Sequence, residues 1–168
     1  QARPLEDAFR MGGIPYRVVG AFDFYGRKEI KDVLCYLRLA MAPNDRAAFV
    51  RVVNFPHRGV GPKSLGLLLD YAEAHRKNPI VAARQADVIA GLAAPQVAAL
   101  QGFAAMVDSL RQRLRDPGSD IAAAVEWICH ECGARDSWIR DPTEGPGGET
   151  RWKNVEYLME RIREWQRR

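Results

Sequence analysis

Apolar positions recur along most of this chain at helical spacing. Ile30, Val33, Leu34 and Leu37 fall at i, i+3, i+4 and i+7, one face of a helix that starts near residue 29. Pro43-Asn44-Asp45 marks a turn, and Asp45 suits the cap of a helix continued by Ala47 to Val53. Asn54-Phe55-Pro56 ends that helix, because the residue before a proline avoids the helical region. Leu65, Leu68 and Leu69 then line the buried side of a helix from Pro62 to about Arg76. Further helices are predicted over Ile80 to Ala86, Ala94 to Arg115 and Ile121 to Cys132, punctuated by Pro95 and Pro117-Gly118-Ser119. The Pro and Gly content of residues 141–148 predicts an exposed loop. From Arg151 onward, Trp152, Val155, Leu158, Met159, Ile162 and Trp165 form the apolar stripe of a last helix.

Only the N-terminus reads otherwise. Leu5 to Phe9 predicts a short helix stopped by Gly12-Gly13, and Ile14 to Gly20 a short strand rich in β-branched residues. This pair is too small to fold alone and reads as the edge of an α/β sheet. The expected fold class is therefore mainly α, with a short α/β remnant at the N-terminus. No internal repeat is visible.

The 168 residues suffice for one domain with a single core. A hydrophobic content of 47% and a charged content of 27% belong to a globular chain rather than a disordered one. The net charge of +4 is a weak pointer to nucleic acid. The preponderance of Arg over Lys adds to it, since the planar guanidinium suits phosphate. No stretch approaches the roughly 18 apolar residues of a membrane span, and no signal peptide is visible. The chain opens on Gln1-Ala2-Arg3 without an initiator Met and reads as an excised piece. Its three cysteines, Cys35, Cys129 and Cys132, form no disulfide framework, which predicts reduced thiols and a cytoplasmic home.

The chemistry concentrates at His57-Arg58-Gly59-Val60-Gly61-Pro62-Lys63-Ser64, between two predicted helices. Glycines at 59 and 61 permit backbone angles that a Cβ would forbid, and leave the amides open to a close ligand. Pro62 suits the first position of the next helix. The free amides of that first turn favour an anion. Lys63 and Ser64 add a charge and a hydroxyl, with His57 and Arg58 just before them. This is a helix-hairpin-helix arrangement suited to phosphate. Its candidate DNA-binding residues are His57, Arg58, Gly59, Val60, Gly61, Lys63 and Ser64. Such contacts position a protein on the backbone without reading sequence. The plainer alternative is a Gly-rich turn between helices.

Three other readings are set aside. Gly61-Pro62-Lys63-Ser64 is not the end of a nucleotide-binding loop, since Pro62 separates Gly from Lys and His57 stands where Gly is needed. Cys129-His130-Glu131-Cys132 offers two of the four ligands of a closed zinc site, so a buried thiol pair is expected and no metal. No catalytic constellation stands out. Glu29 and Asp32 read as surface pairs or caps, the Trp-bearing stripe as core, and Arg161, Arg163, Arg167 and Arg168 as a solvated face.

Several stretches together resemble the UvrD/Rep/PcrA helicases of superfamily 1. Arg27-Lys28-Glu29-Ile30-Lys31-Asp32-Val33-Leu34-Cys35-Tyr36-Leu37-Arg38-Leu39 is similar to the family's R-x-E-I-K-D-x-L-x-Y-L-R-L run. Leu5-Glu6 and Gly13 to Gly20 match the approach to it. Ala48 to Gly61 resembles A-F-x-R-x-x-N-x-P-x-R-G-I-G. Asp136-Ser137-Trp138 and Arg151-Trp152-Lys153-Asn154-Val155 look more like the Rep branch than the UvrD or PcrA branch. The resemblance is dense from about residue 5 to 70 and sparse from about 75 to 150.

The resemblance implies that residues 1–20 are a remnant of the second RecA-like motor subdomain and residues 21–168 a helical 2B subdomain. The family's Gly-Ile-Gly hairpin, which touches duplex DNA ahead of the fork, falls on Gly59, Val60 and Gly61. Implied partners are double-stranded DNA at a fork junction, the motor subdomains of the parent chain, and replication or repair proteins. ATP and Mg would belong to the parent protein. This stretch carries no Walker A loop, no acidic motor motif and no arginine-finger setting, so no cofactor is expected in it. The alternative function is a helical protein-interaction or autoinhibitory module, suggested by the loop at 141–148 and the Trp-bearing last helix.

Overall fold

The computed structural model describes residues 24–116, 118–139 and 147–168. The expected N-terminal helix and strand lie outside these residues, as does most of the loop expected at 141–148. The described chain is helical. Its elements are α1 (Lys28–Met41), α2 (Arg46–Val52), α3 (Pro62–Ala74), α4 (Pro79–Arg84), a 3-10 turn (Ala86–Val88), α5 (Ala94–Arg115), α6 (Ile121–Glu131), α7 (Ala134–Ile139) and α8 (Gly147–Gln166).

Local chemistry explains most of the helix ends. Asp45 caps α2 by accepting from the Ala48 amide at 2.9 Å, and also binds the Arg38 guanidinium. Asn78 caps α4 through the Val81 amide at 2.9 Å, and Asp120 caps α6 through the Ala123 amide at 3.0 Å. Prolines occupy the first turns of α3, α4 and α5, where a missing N–H costs nothing. Gly133, at φ +75°, stops α6 and its amide bonds back to the His130 carbonyl.

Two boundaries differ from expectation. The helix expected from Ile80 to Ala86 stops at Arg84 and tightens into the 3-10 turn. The last helix begins at Gly147 rather than near Arg151. The six-residue α7 is additional, being too short to show a periodic pattern.

Helix α1 lies at the centre and touches α2, α5, α6 and α8. Helices α6 and α7 pack on α8, while α4 joins α3 to α5. One continuous core results, containing Ile30, Val33, Leu39, Phe49, Leu68, Leu100, Phe103, Ile128, Trp138 and Val155. Phe103 sits where the groups of helices meet. Its ring meets Phe49 edge-on at 5.6 Å and lies 6.2 Å from Tyr36. The stripe on α8 is core near its start, with Trp152, Val155, Leu158 and Met159 buried.

Two carboxylates expected at the surface are inside. Glu29 and Asp32 are 4% and 3% exposed. Asn154, on α8 and 125 residues away in sequence, donates to Glu29 Oε1 at 2.6 Å. Arg51 donates from Nε to Asp32 Oδ1 at 2.8 Å, its guanidinium closing an ion pair at 2.7 Å. A buried carboxylate without such partners would be costly. Burial still pushes the Asp32 carboxyl above its ordinary range, with Arg51 pulling it only part of the way back.

Candidate nucleic-acid interface

The segment between α2 and α3 is shaped by side chains that close on its own backbone. Asn54 Oδ1 accepts from two amides, Arg58 N at 2.8 Å and Val60 N at 3.1 Å. The chain is thereby folded round Gly59, whose φ of +75° lies in the left-handed region where a Cβ is disfavoured. Val60 follows and is buried, 3% exposed, so the tip of the loop is pinned to the core by an apolar plug. Phe55, joined to Pro56 by a cis peptide bond, stacks on Trp138 of α7 with ring centroids 5.9 Å apart.

Gly61 differs from Gly59. Its φ of −77° and ψ of 175° are extended backbone open to any residue, and a Cβ there would meet nothing within 4 Å. The expectation that both glycines supply special backbone angles is corrected: only Gly59 does. What Gly61 contributes is an open surface. It is the N-cap of α3 and offers no capping side chain. The first bond into the helix is donated by the Leu65 amide to the Gly61 carbonyl at 3.0 Å. The Lys63 and Ser64 amides come before it and have no hydrogen-bond partner among the described residues. Such a turn carries a partial positive charge. Lys63 and His57 are exposed and Ser64 half-buried, and neither Lys63 nor His57 has an ion-pair partner among the described residues.

Arg58 does not stand beside these groups as a free cation. Its guanidinium turns inward. Nη1 donates to the carbonyls of Val52 at 3.1 Å, Val53 at 3.2 Å and Phe55 at 2.8 Å. Nη2 donates to the Tyr36 hydroxyl at 2.8 Å, and the group lies 5.3 Å over the Phe103 ring. Arg58, expected among the DNA-binding residues, thus turns its guanidinium into the fold. A cation at a helix C-terminus is well placed, because the last carbonyls of α2 lack helical donors and carry the negative end of its dipole. Tyr36 completes the tie by donating to the Phe55 carbonyl at 2.5 Å, and burial drives its phenol far above the ordinary range. Sequence reading passed over Tyr36 and Asn54 as site residues. Both stood inside the motif runs, but nothing local says that their partners are a loop 19 residues away or the loop's own amides.

The other candidates group elsewhere. Cys129 is buried and Cys132 half-buried, one helical turn apart, and burial pushes both thiols up. No group of three or more His, Cys, Asp or Glu among the described residues is arranged to hold a metal. Arg161 pairs with Glu164 at 2.7 Å and Arg163 with Glu126 at 3.9 Å, both at the surface. Among the described residues no helix is long and apolar enough to cross a membrane.

Known proteins share this combination of segments. Residues 1–79 match the UvrD-like helicase C-terminal domain. DNA helicase II of Escherichia coli (strain K12) is 34% identical over 165 residues, which are 98% of this chain and 22% of that protein. The ATP-dependent DNA helicase PcrA of Bacillus subtilis is 42% identical over 110 residues, 66% of this chain and 15% of that protein. The ATP-dependent DNA helicase UvrD1 of Mycobacterium tuberculosis (strain ATCC 25618 / H37Rv) is 38% identical over 137 residues, 80% of this chain and 17% of that protein. This chain thus spans 22% or less of the length of each of these relatives. The two motif runs that carry the resemblance are also those whose polar residues tie α1, α2 and the 54–61 loop together, and by these matches the chain belongs to the UvrD/Rep/PcrA type of superfamily 1 helicases.

Proposed function

We propose that this chain is the 2B-type regulatory part of an ATP-dependent 3′–5′ DNA helicase, and that it holds duplex DNA at a fork by the phosphate backbone. Residues 21–168 form that subdomain and residues 1–20 the edge of the motor subdomain it springs from. The helix-hairpin-helix is α2, the 54–61 loop and α3. ATP and Mg are used by the motor of the parent protein, whose subdomains this piece gates by rotating as a rigid body. Replication or repair proteins are further partners of that parent.

One observation carries the duplex contact. The first turn of α3 presents two amides without partners, beside the exposed Lys63 and a glycine with no Cβ in the way. An oxygen of a phosphate fits such a turn, with Lys63 and Ser64 as flanking donors and His57 at the rim. A protein-docking role is less well supported, because Trp152, one of the residues that suggested it, is only 9% exposed.

Fluorescence anisotropy of a labelled duplex, titrated over a range of salt, tests the proposal. Binding of this chain should weaken steeply with salt and be equal for duplexes of different sequence. Lys63→Ala should lower the slope of log affinity against log salt by about 0.9, the value of one phosphate contact. Gly61→Val should keep the fold and weaken binding about tenfold by covering the amides, as loss of one or two charge-assisted bonds does. If both variants bind like the unaltered chain, the hairpin is not the contact.

A further inference from the structure

We infer that Asn54 and Arg58 are positioning residues for the duplex contact, and that Arg58 acts through its planar fork on carbonyls inside the fold and not as a charge on phosphate. This inference rests on the duplex-binding reading above.

The loop has few internal means of holding its shape. It lies between two helices and has no regular hydrogen-bond ladder. Its geometry comes from two side chains that each close several backbone groups. Asn54 Oδ1 gathers the amides of Arg58 and Val60, which bracket the left-handed Gly59. This double acceptance sets the direction in which the chain leaves Gly59, and therefore drives Val60 into the core. Arg58 gathers the carbonyls of Val52, Val53 and Phe55 on one nitrogen and the Tyr36 hydroxyl on another. Its plane also covers the Phe103 ring. That arrangement demands a flat group with donors at fixed angles, which an ammonium on a flexible stem does not supply. Tyr36 Oη then reaches the Phe55 carbonyl and locks the loop to the middle of α1.

The consequence reaches α3. Val60 and Gly61 lead directly into Pro62, so the orientation of the loop fixes where the Lys63 and Ser64 amides point. A loop freed from Asn54 or Arg58 still contains every phosphate-facing group, but presents them without a common direction. Preorganised donors bind an anion better than mobile ones, because no ordering cost is paid on binding.

Three variants test this: Asn54→Ala, Asn54→Asp and Arg58→Lys. The readouts are residue-resolved amide exchange without DNA and anisotropy with the labelled duplex. Asn54→Ala should expose the Arg58 and Val60 amides to fast exchange and weaken duplex binding about tenfold, while helix exchange elsewhere stays slow. Asn54→Asp retains the acceptor and should keep both amides protected, which separates loss of the acceptor from general unfolding. Arg58→Lys retains the charge and should weaken binding about as much as Asn54→Ala. Duplex affinity equal to wild type in Arg58→Lys would overturn the inference, since Arg58 would then serve as a charge. Unchanged exchange at Arg58 and Val60 in Asn54→Ala would overturn it as well. If the unaltered chain shows no salt-dependent duplex binding, the duplex reading fails, and the inference with it.

Discussion

The region from α1 to α3 and the region from α4 to α8 are held together in different ways. In the first, polar side chains lie inside and each has a named partner: Asp32 with Arg51, Tyr36 with Arg58, Asn54 with two loop amides. In the second, the interior is mostly apolar, with Leu100, Val107, Leu110, Val125, Ile128 and Leu158 buried. Its ion pairs, such as Arg84–Asp108 and Arg161–Glu164, lie at the surface. Apolar packing accepts many residues of similar volume. A buried hydrogen bond accepts few, because each partner must offer the right group at the right angle. The family match falls on the first region. It covers residues 1–79 and so contains all three of those ties.

The largest effect should come from the residue that serves both regions. Phe103→Ala removes the ring against Phe49, Tyr36 and the Arg58 guanidinium. It should cost about 4 kcal/mol in urea unfolding, as a Phe cavity in a core does. A cost below about 1 kcal/mol would mean that the two regions do not share a core there.

Arg51→Ala should come next, at about 3 kcal/mol, because it leaves the Asp32 carboxylate buried without its partner. Acidity should partly restore this variant. Even in the unaltered chain the folded-state carboxyl titrates above its ordinary value of 3.8, so the folded state binds the proton more tightly than the unfolded state. Its contribution is fully present below that value and is lost as pH rises through the folded value. Unfolding of the unaltered chain and of Asp32→Asn at a series of pH values above 3.8 checks the sign. The unaltered chain should lose stability relative to Asp32→Asn as pH rises.

Gly59→Ala should cost about 1 kcal/mol from the left-handed backbone alone, while Gly61→Ala should be close to neutral for stability. Equal costs at the two glycines would contradict the geometry of the loop. The smallest effect is expected at the surface pair. Arg84→Ala should change stability by no more than about 0.5 kcal/mol, because its partner Asp108 is exposed and the pair is screened. A cost like that of Arg51→Ala would erase the contrast between the two regions.

Much of the helical order was legible in sequence for a local reason. Pro62, Pro95 and Asp45 act within one turn, and the spacing of Ile30, Val33 and Leu34 records which side of a helix is dry. The candidate site was legible in outline, because Gly59 marks a turn and Pro62 the first position of a new helix. The jobs of individual residues within it were not. Gly59 and Gly61 are the same letter, and only the dihedral angles separate them. Trp138 sits on a helix of six residues, too short for a period, and its stacking on Phe55 comes from a fold that joins residues far apart.

By itself, then, the sequence determined the mainly helical class and the ends of most helices, and it pointed to the 57–64 stretch, where two first-turn amides lack partners among the described residues. Tertiary structure decided that Glu29 and Asp32 are interior, that Arg58 faces inward, and that Tyr36 and Asn54 hold the loop. The reason is the range of the forces. Caps, turns and periodicity act over a few residues along the chain. The fate of a charged or hydroxyl group depends on which carbonyl, carboxylate or ring the fold brings beside it. For Glu29 that neighbour was Asn154, 125 residues away.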